Sequence, residues 1–410
     1  MTTLRAGQRR KTTASNTTAP IHSQAESEEL TCARRPARCA SPSATGALLV
    51  DHRLGTPSRA TVGAVRAVVY DSFGSPPAVR DVPDPACPPD GVVVSVGATG
   101  LCRSDWHAWV GHDDTVRLPH VPGHEYAGEL ARVGTAVGGW SVGDRVTVPF
   151  VCACGTCDQC AAGNQNVCDR QVQPGFDLPG SFAQLVAVPH AQVNLVRLPD
   201  AVDTVAAAAL GCRFATAYRA VVQHGRAEPG QWVVVHGCGG VGLSAIQIAV
   251  SRGAQVVAVD PSIGAREAAT AFGAAVVVDG SLADEQVLDA VRDATGGGAH
   301  VSLDAFGSAA AFARSVAGLR KRGRHVQVGL MAGADAFPPV DAGALITKEL
   351  EIIGSHGMAA HTYGDLLADI ATGALDPGAL VHRTLSLDEA GPALAAMDTA
   401  SSTGVSVILP

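Results

Sequence analysis

The stretch Gln231-Trp232-Val233-Val234-Val235-His236-Gly237-Cys238-Gly239-Gly240-Val241-Gly242 decides the fold of this chain. Its β-branched run ends in a Gly-x-Gly-x-x-Gly motif and continues into an apolar helical pattern over residues 243–249. A strand, a tight turn and a helix in this order lay a pyrophosphate on the helix N-terminus. The motif therefore predicts a dinucleotide site with a phosphate-binding loop formed by Gly237, Gly239, Gly240, Val241 and Gly242.

An acidic residue follows the next predicted strand. Residues 256–259 are apolar and lead into Asp260, eighteen residues after Gly242. A carboxylate at this position hydrogen-bonds the adenosine ribose and repels a 2′-phosphate, so it favours NAD over NADP. An alternative role for Asp260 is to cap a helix that we expect to begin near Ala265.

Strand and helix patterns continue to alternate beyond this point. Helical patterns cover residues 284–294 and 309–319, and β-rich runs cover residues 275–278, 300–303, 325–329 and 351–353. Such alternation predicts a parallel sheet with helices on both faces, and six strands make a full doubly wound domain.

The region before this domain has a different pattern. Short valine-rich runs, broken by Gly and Pro, occur at residues 91–96, 128–133 and 144–148. They predict a mostly antiparallel, partly open β-barrel. The fold class is therefore α/β, with a mostly antiparallel β domain preceding a doubly wound parallel-sheet domain.

Four cysteines within fifteen residues follow the spacing Cys-x2-Cys-x2-Cys-x7-Cys, at Cys154, Cys157, Cys160 and Cys168. Short gaps let the sulfurs converge on one Zn²⁺ at about 2.3 Å each, and four thiolates close its tetrahedral shell. Disulfides and free buried thiols are the alternatives, but cysteines so close in sequence pair poorly and the sequence offers no secretory context. We predict a structural zinc lobe at about residues 152–168, with Cys152 as a spare thiol.

Three further candidate ligands are dispersed, and their neighbours identify them better than their spacing. The segments are Gly100-Leu101-Cys102-Arg103-Ser104-Asp105-Trp106-His107, Gly123-His124-Glu125 and Gly211-Cys212-Arg213-Phe214-Ala215-Thr216-Ala217. Two thiolates and one imidazole leave the fourth position of a zinc ion open for substrate. Each residue alone is more often a small buried side chain or a hydrogen-bonded polar one.

These segments resemble the zinc-dependent alcohol dehydrogenases of the medium-chain dehydrogenase/reductase superfamily, and the resemblance extends from about Val65 to the C-terminus. It implies that Cys102, His124 and Cys212 bind a catalytic zinc and that NAD accepts hydride from an alcohol. It also implies a GroES-like catalytic domain over residues 64–212, a Rossmann domain over 213–353, and a return of 354–410 to the catalytic domain. We expect residues 1–63 to be a disordered extension or to precede the true start.

The resemblance also implies roles for residues around the catalytic zinc. Ser104 and His107 would pass the alcohol proton towards water, with the alternative that His107 is an ordinary polar residue of the barrel. Asp105 would orient the ring of His124, because metal-bound imidazoles donate their other N–H to an acceptor. Glu125 would lie behind the metal.

Other residues are implied to contact the cofactor or the substrate. Arg103 matches a position that contacts the pyrophosphate, and Arg266 one over the adenosine ribose, with a solvated helix charge as its alternative. Trp109 matches a bulky residue of the alcohol pocket, to which Trp106 would add, although either residue would also suit a core. A second pyrophosphate arginine, found near the C-terminus of some members, is not evident in residues 403–408.

The third ligand bears on the substrate. A cysteine at position 212 favours a primary or simple secondary alcohol, because polyol dehydrogenases of the superfamily usually supply a Glu. A polyol or amino-alcohol dehydrogenase is the main alternative.

A zinc-free quinone or enoyl reductase would lack the three ligands. A non-catalytic zinc-ribbon protein would need a basic stripe, but the cysteine lobe holds Asp158 and no Lys or Arg before Arg170.

Bulk composition agrees with a two-domain enzyme. The chain has 410 residues, 47% of them apolar, and a net charge of −8, which disfavours nucleic acid as a partner. No run of eighteen uncharged apolar residues predicts a membrane span, and residues 9–11 (Arg-Arg-Lys) precede a stretch too polar for an export signal. We expect a cytoplasmic homo-oligomer that acts on a small alcohol or aldehyde with NAD and two zinc ions per subunit.

Overall fold

The computed structural model describes residues 63–398 and 404–410. The expectations for residues 1–62, including the Arg-Arg-Lys segment, lie outside the described residues. Residue 403, the first of the segment 403–408 in which no second pyrophosphate arginine is evident, also lies outside them. The strands are β1 Ala64–Val69, β2 Ala78–Pro83, β3 Val92–Leu101, β4 Glu125–Val133, β5 Arg145–Thr147, β6 Leu185–Val188, β7 Val196–Arg197, β8 Trp232–His236, β9 Gln255–Asp260, β10 Val276–Asp279, β11 Ala299–Asp304, β12 Leu319–Gln327, β13 Glu351–Gly354, β14 Val381–Ser386 and β15 Val405–Leu409.

The helices are mostly short. The α-helices are α1 Arg103–Trp109, α2 Asp158–Ala161, α3 Ala191–Asn194, α4 Thr204–Ala208, α5 Ala215–Tyr218, α6 Gly240–Ser251, α7 Ile263–Ala271, α8 Asp284–Thr295, α9 Ala309–Ala317, α10 Ala342–Thr347, α11 Gly364–Ala371 and α12 Leu387–Ala395. Two π-helical segments are Leu210–Phe214 and Arg219–His224. Short 3₁₀ turns are Gln165–Val167, Gly333–Ala336, Ala360–Thr362, Pro377–Leu380 and Ala396–Asp398. Within the described ranges, no helix combines the length and the apolar character that a membrane crossing requires.

Six strands form a parallel sheet in the order β10-β9-β8-β11-β12-β13. The middle residues of β8, Val233 to Val235, are almost fully buried, as expected for a strand covered by helices on both faces. The strand order reverses beside β8, and ligands of such sheets bind at the carboxyl ends of the strands at this reversal. The predicted doubly wound domain is confirmed.

The other large sheet has seven strands and is mostly antiparallel. Its order is β14-β15-β3-β4-β5-β7, and β6 pairs with β3. The C-terminal strand β15 lies antiparallel to β3, with Val407 opposite Gly100. The last strand of the chain therefore joins the sheet that carries the first predicted zinc ligand, and the predicted α/β fold class is confirmed.

Some predicted boundaries differ from the observed ones. Strand β12 begins at Leu319, six residues before the predicted run at 325. The prediction missed its first half because that half is rich in Arg and Lys and has no apolar pattern. Helix α7 begins at Ile263, and its N-cap is Ser262, whose hydroxyl accepts a hydrogen bond from the Ala265 N–H at 3.3 Å. The alternative that Asp260 caps this helix is therefore wrong.

The largest hydrophobic cluster joins the two sheets. It contains Ala98 and Ala127 from the antiparallel sheet, Val233 from the parallel sheet, and Leu210 and Phe214 from the first π-helical segment. The segment that carries Cys212 is thus packed between the two sheets. It lies between the sheet of the other candidate zinc ligands and the sheet of the predicted cofactor loop.

Candidate active site and metal centres

Asp105 holds two of the predicted ligand segments together. Cys102 follows the end of β3 and caps α1, and its backbone N–H donates to Asp105 Oδ2 at 2.9 Å. The other carboxylate oxygen accepts from His124 Nδ1 at 2.7 Å and from the Gly123 N–H at 3.2 Å. Asp105 is fully buried, so one carboxylate fixes the loop of His124 against the helix of Cys102.

His124 is buried with one ring nitrogen unpaired. With Nδ1 bound to Asp105, Nε2 has no hydrogen-bond partner among the described residues. A buried polar atom without a partner is costly, and a metal ion is one group that satisfies an imidazole nitrogen. The ring packs between Phe150 and Phe176, with centroid distances of 6.3 and 5.1 Å. The unpaired nitrogen therefore marks a ligand position beside an aromatic wall.

Cys212 enters the site from the π-helical segment Leu210–Phe214. Short π-turns are frequent at functional sites because they redirect a side chain out of the regular helix. Gly211 lets this segment pass close to the barrel: a Cβ there would lie 2.9 Å from Val148 O, and its own carbonyl accepts from the Phe150 N–H at 2.9 Å. The close backbone approach carries the Cys212 thiol to the other two ligands.

The structure brings all three dispersed residues together with Glu125. Their ligand atoms lie within 4.8 Å of one another. A hydrogen bond from the Cys212 thiol lowers the pKa of Cys102 well below its ordinary value, and Arg213 and His124 act in the same direction, which favours the thiolate that binds zinc. A site of two sulfurs and one unpaired imidazole nitrogen fits Zn²⁺ with one position open.

Glu125 is engaged by Arg213. The Arg213 backbone N–H and Nε donate to Glu125 Oε1 at 2.8 and 3.0 Å, and Nη2 donates to Oε2. Burial raises the pKa of Glu125 to about 7, and the charge of Arg213 opposes this shift. Both carboxylate oxygens are thus occupied, which favours Cys102, His124 and Cys212 as the ligands and puts Glu125 behind them.

The four-cysteine lobe has the geometry of a closed zinc site. Four sulfurs about 2.3 Å from one ion in a tetrahedron are about 3.8 Å apart. The sulfur separations are 3.5 Å for Cys157–Cys160 and Cys168–Cys154, 3.7 Å for Cys157–Cys168 and 4.0 Å for Cys154–Cys160. The N–H of Thr156 donates to the Cys154 sulfur and, with other hydrogen bonds, lowers its pKa to about 5. These residues fit a tetrahedral Zn²⁺ without rearrangement.

The proposed proton-relay residues lie on α1. Ser104 Oγ is 3.8 Å from Cys102 Sγ, at the edge of the metal cluster. His107 is half-buried, and its Nδ1 lies 3.0 Å from Nδ1 of the exposed His112. Burial lowers the pKa of His107, and the charges of Arg103 and His112 lower it further. The two histidines thus lead from a half-buried position to the surface.

The glycine-rich loop has the shape of a phosphate cradle. Gly237 has a φ of +89°, and a Cβ at Gly242 would lie 1.8 Å from Gly237 O, so a larger residue would separate helix α6 from β8. A Cβ added at Gly239, the N-cap of α6, would meet no heavy atom of the described residues within 4 Å, apart from those of its neighbours in the chain. Gly240 and Val241 form the first turn of the helix. The loop therefore fits the pyrophosphate of a dinucleotide.

Asp260 ends β9 beside this loop. Its Oδ2 accepts from the Cys238 N–H at 2.7 Å and its Oδ1 from the Ser262 N–H at 2.8 Å. Arg266 lies next to it, with Nη1 donating to Asp260 O at 2.6 Å and to Pro261 O at 2.9 Å. Both side chains are thereby oriented at the carboxyl end of β9, where the adenosine ribose binds in such sheets.

Arg103 and Trp109 have other partners in this structure. Arg103 donates to Met397 O at 2.7 Å and to Asp398 at 3.0 Å, and its guanidinium stacks over Trp106 at 4.0 Å. Trp109 is buried in a hydrophobic cluster and donates from Nε1 to Ser75 O at 2.7 Å. Trp109 thus occupies the core, and Trp106 forms the platform for Arg103.

Sequence reasoning missed four residues next to the site: Arg213, His112, Phe150 and Phe176. Arg213 offered a signal, since it is a charged residue inside the otherwise apolar segment 207–217. The other three carry no pattern that separates them from ordinary loop residues. Only the fold brings Phe150 and Phe176 to His124, and His112 to His107.

Comparison with protein families identifies two matching regions. Residues 88–200 match the family model of the alcohol dehydrogenase GroES-like domain, and residues 240–372 match that of the zinc-binding dehydrogenases. The first region contains six of the seven predicted zinc ligands, and the second contains Gly240, Val241, Gly242, Asp260 and Arg266.

Individual proteins are similar over most of their length. An alcohol dehydrogenase of Geobacillus stearothermophilus is 34% identical over 295 residues, which are 71% of this chain and 84% of that protein. The structure of the alcohol dehydrogenase TADH from Thermus sp. ATN1 has a TM-score of 0.76 and 33% identity, over 84% of this chain and 99% of that one. The crystal structure of an NAD-dependent alcohol dehydrogenase also gives 0.76, at 30% identity and with coverage of 84% and 99%.

Proposed function

Since the chain belongs to the zinc-dependent alcohol dehydrogenases of the medium-chain dehydrogenase/reductase superfamily, we propose that it reversibly oxidises a primary or simple secondary alcohol. It is an oxidoreductase that uses Zn²⁺ and NAD. The observation that carries the substrate proposal is that the third ligand is a sulfur. Cys212 completes the cluster of Cys102 and His124, whereas Glu125 is bound on both oxygens by Arg213.

The wall beside the cluster supports an alcohol with an apolar substituent. Phe150 and Phe176 flank the His124 ring at 6.3 and 5.1 Å between centroids. Aromatic side chains gain from covering apolar substrate surface, while the hydroxyls of a polyol would need hydrogen-bond partners there. Simple aliphatic or aromatic alcohols therefore fit better than sorbitol or threonine.

Residues of this chain divide the work of the reaction. When bound, zinc acts as a Lewis acid on the alcohol oxygen and NAD accepts the hydride. Asp105 fixes the His124 ring so that Nε2 faces the ligand cluster. The Ser104 hydroxyl takes up the alcohol proton at the edge of that cluster and gives up its own, which His107 and then His112 pass to water.

We assign the other site residues by their position around the cofactor. Gly237, Gly239, Gly240, Val241 and Gly242 receive the pyrophosphate. Asp260 binds the adenosine ribose with Arg266 beside it, and Arg103 exchanges its contacts with Asp398 for the cofactor. Cys154, Cys157, Cys160 and Cys168 hold the structural zinc.

The organisation of the chain completes the proposal. We assign residues 64–212 and 354–410 to the catalytic domain and residues 213–353 to the cofactor domain. A homo-oligomer in the cytoplasm is the expected form. Size-exclusion chromatography with light scattering would measure the number of subunits, and a monomer would contradict that part.

The experiment that tests this function measures zinc and NAD reduction on the same purified protein. Ethanol, longer primary alcohols, benzyl alcohol, sorbitol and threonine form the substrate panel. We expect about two zinc ions per subunit and turnover of simple or aromatic alcohols. A preference for sorbitol or threonine would move the enzyme to the polyol or amino-alcohol branch, and about one zinc ion with no NADH formed would contradict the catalytic site.

A further inference from the structure

Arg213 is a buried cation between the metal cluster and the cofactor loop. Its side chain is 8% exposed. Besides Glu125, it contacts the barrel through Nη1, which donates to Leu101 O at 3.0 Å. Hydrogen bonds to described residues engage Nε, Nη1 and Nη2 once each, whereas a guanidinium has five N–H groups. One N–H on each terminal nitrogen therefore remains for a further acceptor.

The Arg213 side chain lies directly against the start of helix α6. A Cβ at Gly240, the first residue of that helix, would lie 2.7 Å from Arg213 Cδ, 3.4 Å from Nη1 and 3.5 Å from Nε. The glycine thus leaves room for the arginine, and the guanidinium stands beside the N-terminus that receives the pyrophosphate.

This position is electrostatically unusual. The N-terminus of a helix carries partial positive charge, so a cation beside it is repelled unless anions accompany it. Glu125 supplies one negative charge from the metal side. A phosphate on the glycine-rich loop would supply the second anion and would interact with the arginine and the helix N–H groups together.

We propose that Arg213 is a cationic contact of the NAD pyrophosphate and that Glu125 holds its guanidinium in place beside Gly240. This assignment rests on the proposed function, which makes NAD the cofactor. Residues 403–408 contain no second arginine for the pyrophosphate. In this proposal Arg213, from the segment of Cys212, takes that role. The Arg213–Glu125 ion pair then connects the segments of His124 and Cys212 to each other and to the cofactor loop at Gly240.

The test compares Arg213→Gln with the wild-type enzyme in NADH binding. The dissociation constants of NADH and of ADP-ribose are measured by fluorescence titration and competition, together with the inhibition constant of adenosine, which has no phosphate. Loss of one charge-assisted contact should weaken NADH and ADP-ribose by about 10- to 100-fold. Adenosine inhibition and zinc content should stay as in the wild type. Arg213→Lys, which keeps the charge and loses the planar fork, should fall between the two.

Two further variants keep the outcome interpretable. Arg252 forms a comparable, half-buried ion pair with Asp369 at 2.7 Å, remote from the metal ligands in sequence, so Arg252→Gln is the matched control and should bind NADH normally. Glu125→Gln with Arg213→Gln leaves no unpaired buried carboxylate, and it should still bind NADH weakly.

Wild-type NADH affinity in Arg213→Gln, or in a folded double variant, would overturn the inference. An equal loss for adenosine and NADH would also overturn it, because it would show a general effect on the fold. These failures differ from failure of the proposed function, in which the wild-type protein itself would bind no NADH.

Discussion

His124 Nδ1 lies 2.7 Å from Asp105 Oδ1, and both side chains are completely buried. The same carboxylate accepts the backbone N–H groups of Cys102 and Gly123. Asp105 therefore sets the ring orientation of one proposed zinc ligand and the backbone position of another. Its hydrogen bond leaves Nε2 of His124 free to bind the metal.

Asp105→Ala should weaken zinc binding at the catalytic site by about 10- to 100-fold, the usual cost of losing the acceptor behind a metal-bound histidine. Competition with a chromogenic chelator would measure the affinity of the weaker zinc ion. The matched control is Asp90→Ala, which removes a similar contact of 2.7 Å to His190 at the surface. Equal zinc affinity in Asp105→Ala and wild type would contradict this role.

Cys212→Ala should abolish alcohol oxidation and remove about one zinc ion per subunit, because two protein ligands hold the ion too weakly. Cys160→Ser should also remove about one zinc ion, but with a lower melting temperature, since structural zinc contributes directly to folding. Metal analysis and thermal unfolding of both variants give the comparison. Cys87→Ser, outside both clusters, is the control, and full activity in Cys212→Ala would refute the ligand assignment.

The two metal sites differ in how far the sequence alone defines them. Cys154 to Cys168 lie in one short loop, so their spacing nearly determines that the sulfurs converge, and the observed separations agree with it. The residues Cys102, His124 and Cys212 come from three distant segments. These three residues could be assigned to one site only from the resemblance to a family, because spacing over about a hundred residues carries no geometric information.

The fold was predictable where local pattern and global position agree. The β8 strand and its glycine loop have an apolar run and a turn motif that match their place in the sheet centre. Strand β12 begins with the sequence Leu319-Arg320-Lys321-Arg322-Gly323, in which pairing with β11 overrides a polar composition. The proposed cofactor contact of Arg213 could not be predicted from the sequence, because only the fold places this side chain against Gly240 at the start of α6.

Asp260→Ala should weaken NADH binding by about tenfold or more, because a charged hydrogen-bond acceptor for the ribose is lost. It should weaken NADPH binding less, since the repulsion of the 2′-phosphate disappears with the carboxylate. The measurement is the ratio of the two dissociation constants, with zinc content as a check that the metal sites are intact. Asp289→Ala on the exposed face of α8 is the control. An unchanged ratio would argue against Asp260 as the ribose contact.

His107 should give the oxidation rate an acid limb that disappears in His107→Gln. Burial lowers the pKa of this imidazole below its usual value of about 6.5, and the charges of Arg103 and His112 lower it further, while the Cys102 charge opposes them. The ring is therefore neutral near neutral pH and can accept the proton. As the pH falls through its lowered pKa, it becomes charged and can no longer do so.

The pH profile of kcat/KM for alcohol oxidation tests this, and we expect the wild-type rate to fall with a midpoint below pH of about 6.5. His107→Gln should be slower by roughly 100-fold at neutral pH, with that limb absent. His112→Gln removes an imidazole that helps to lower the pKa of His107, so the midpoint should move up towards the ordinary histidine value. His190→Gln, on the surface, should keep the wild-type profile. His107→Gln has no imidazole at position 107. An acid limb that persists unchanged in this variant would therefore come from another group and would assign the proton transfer to that group.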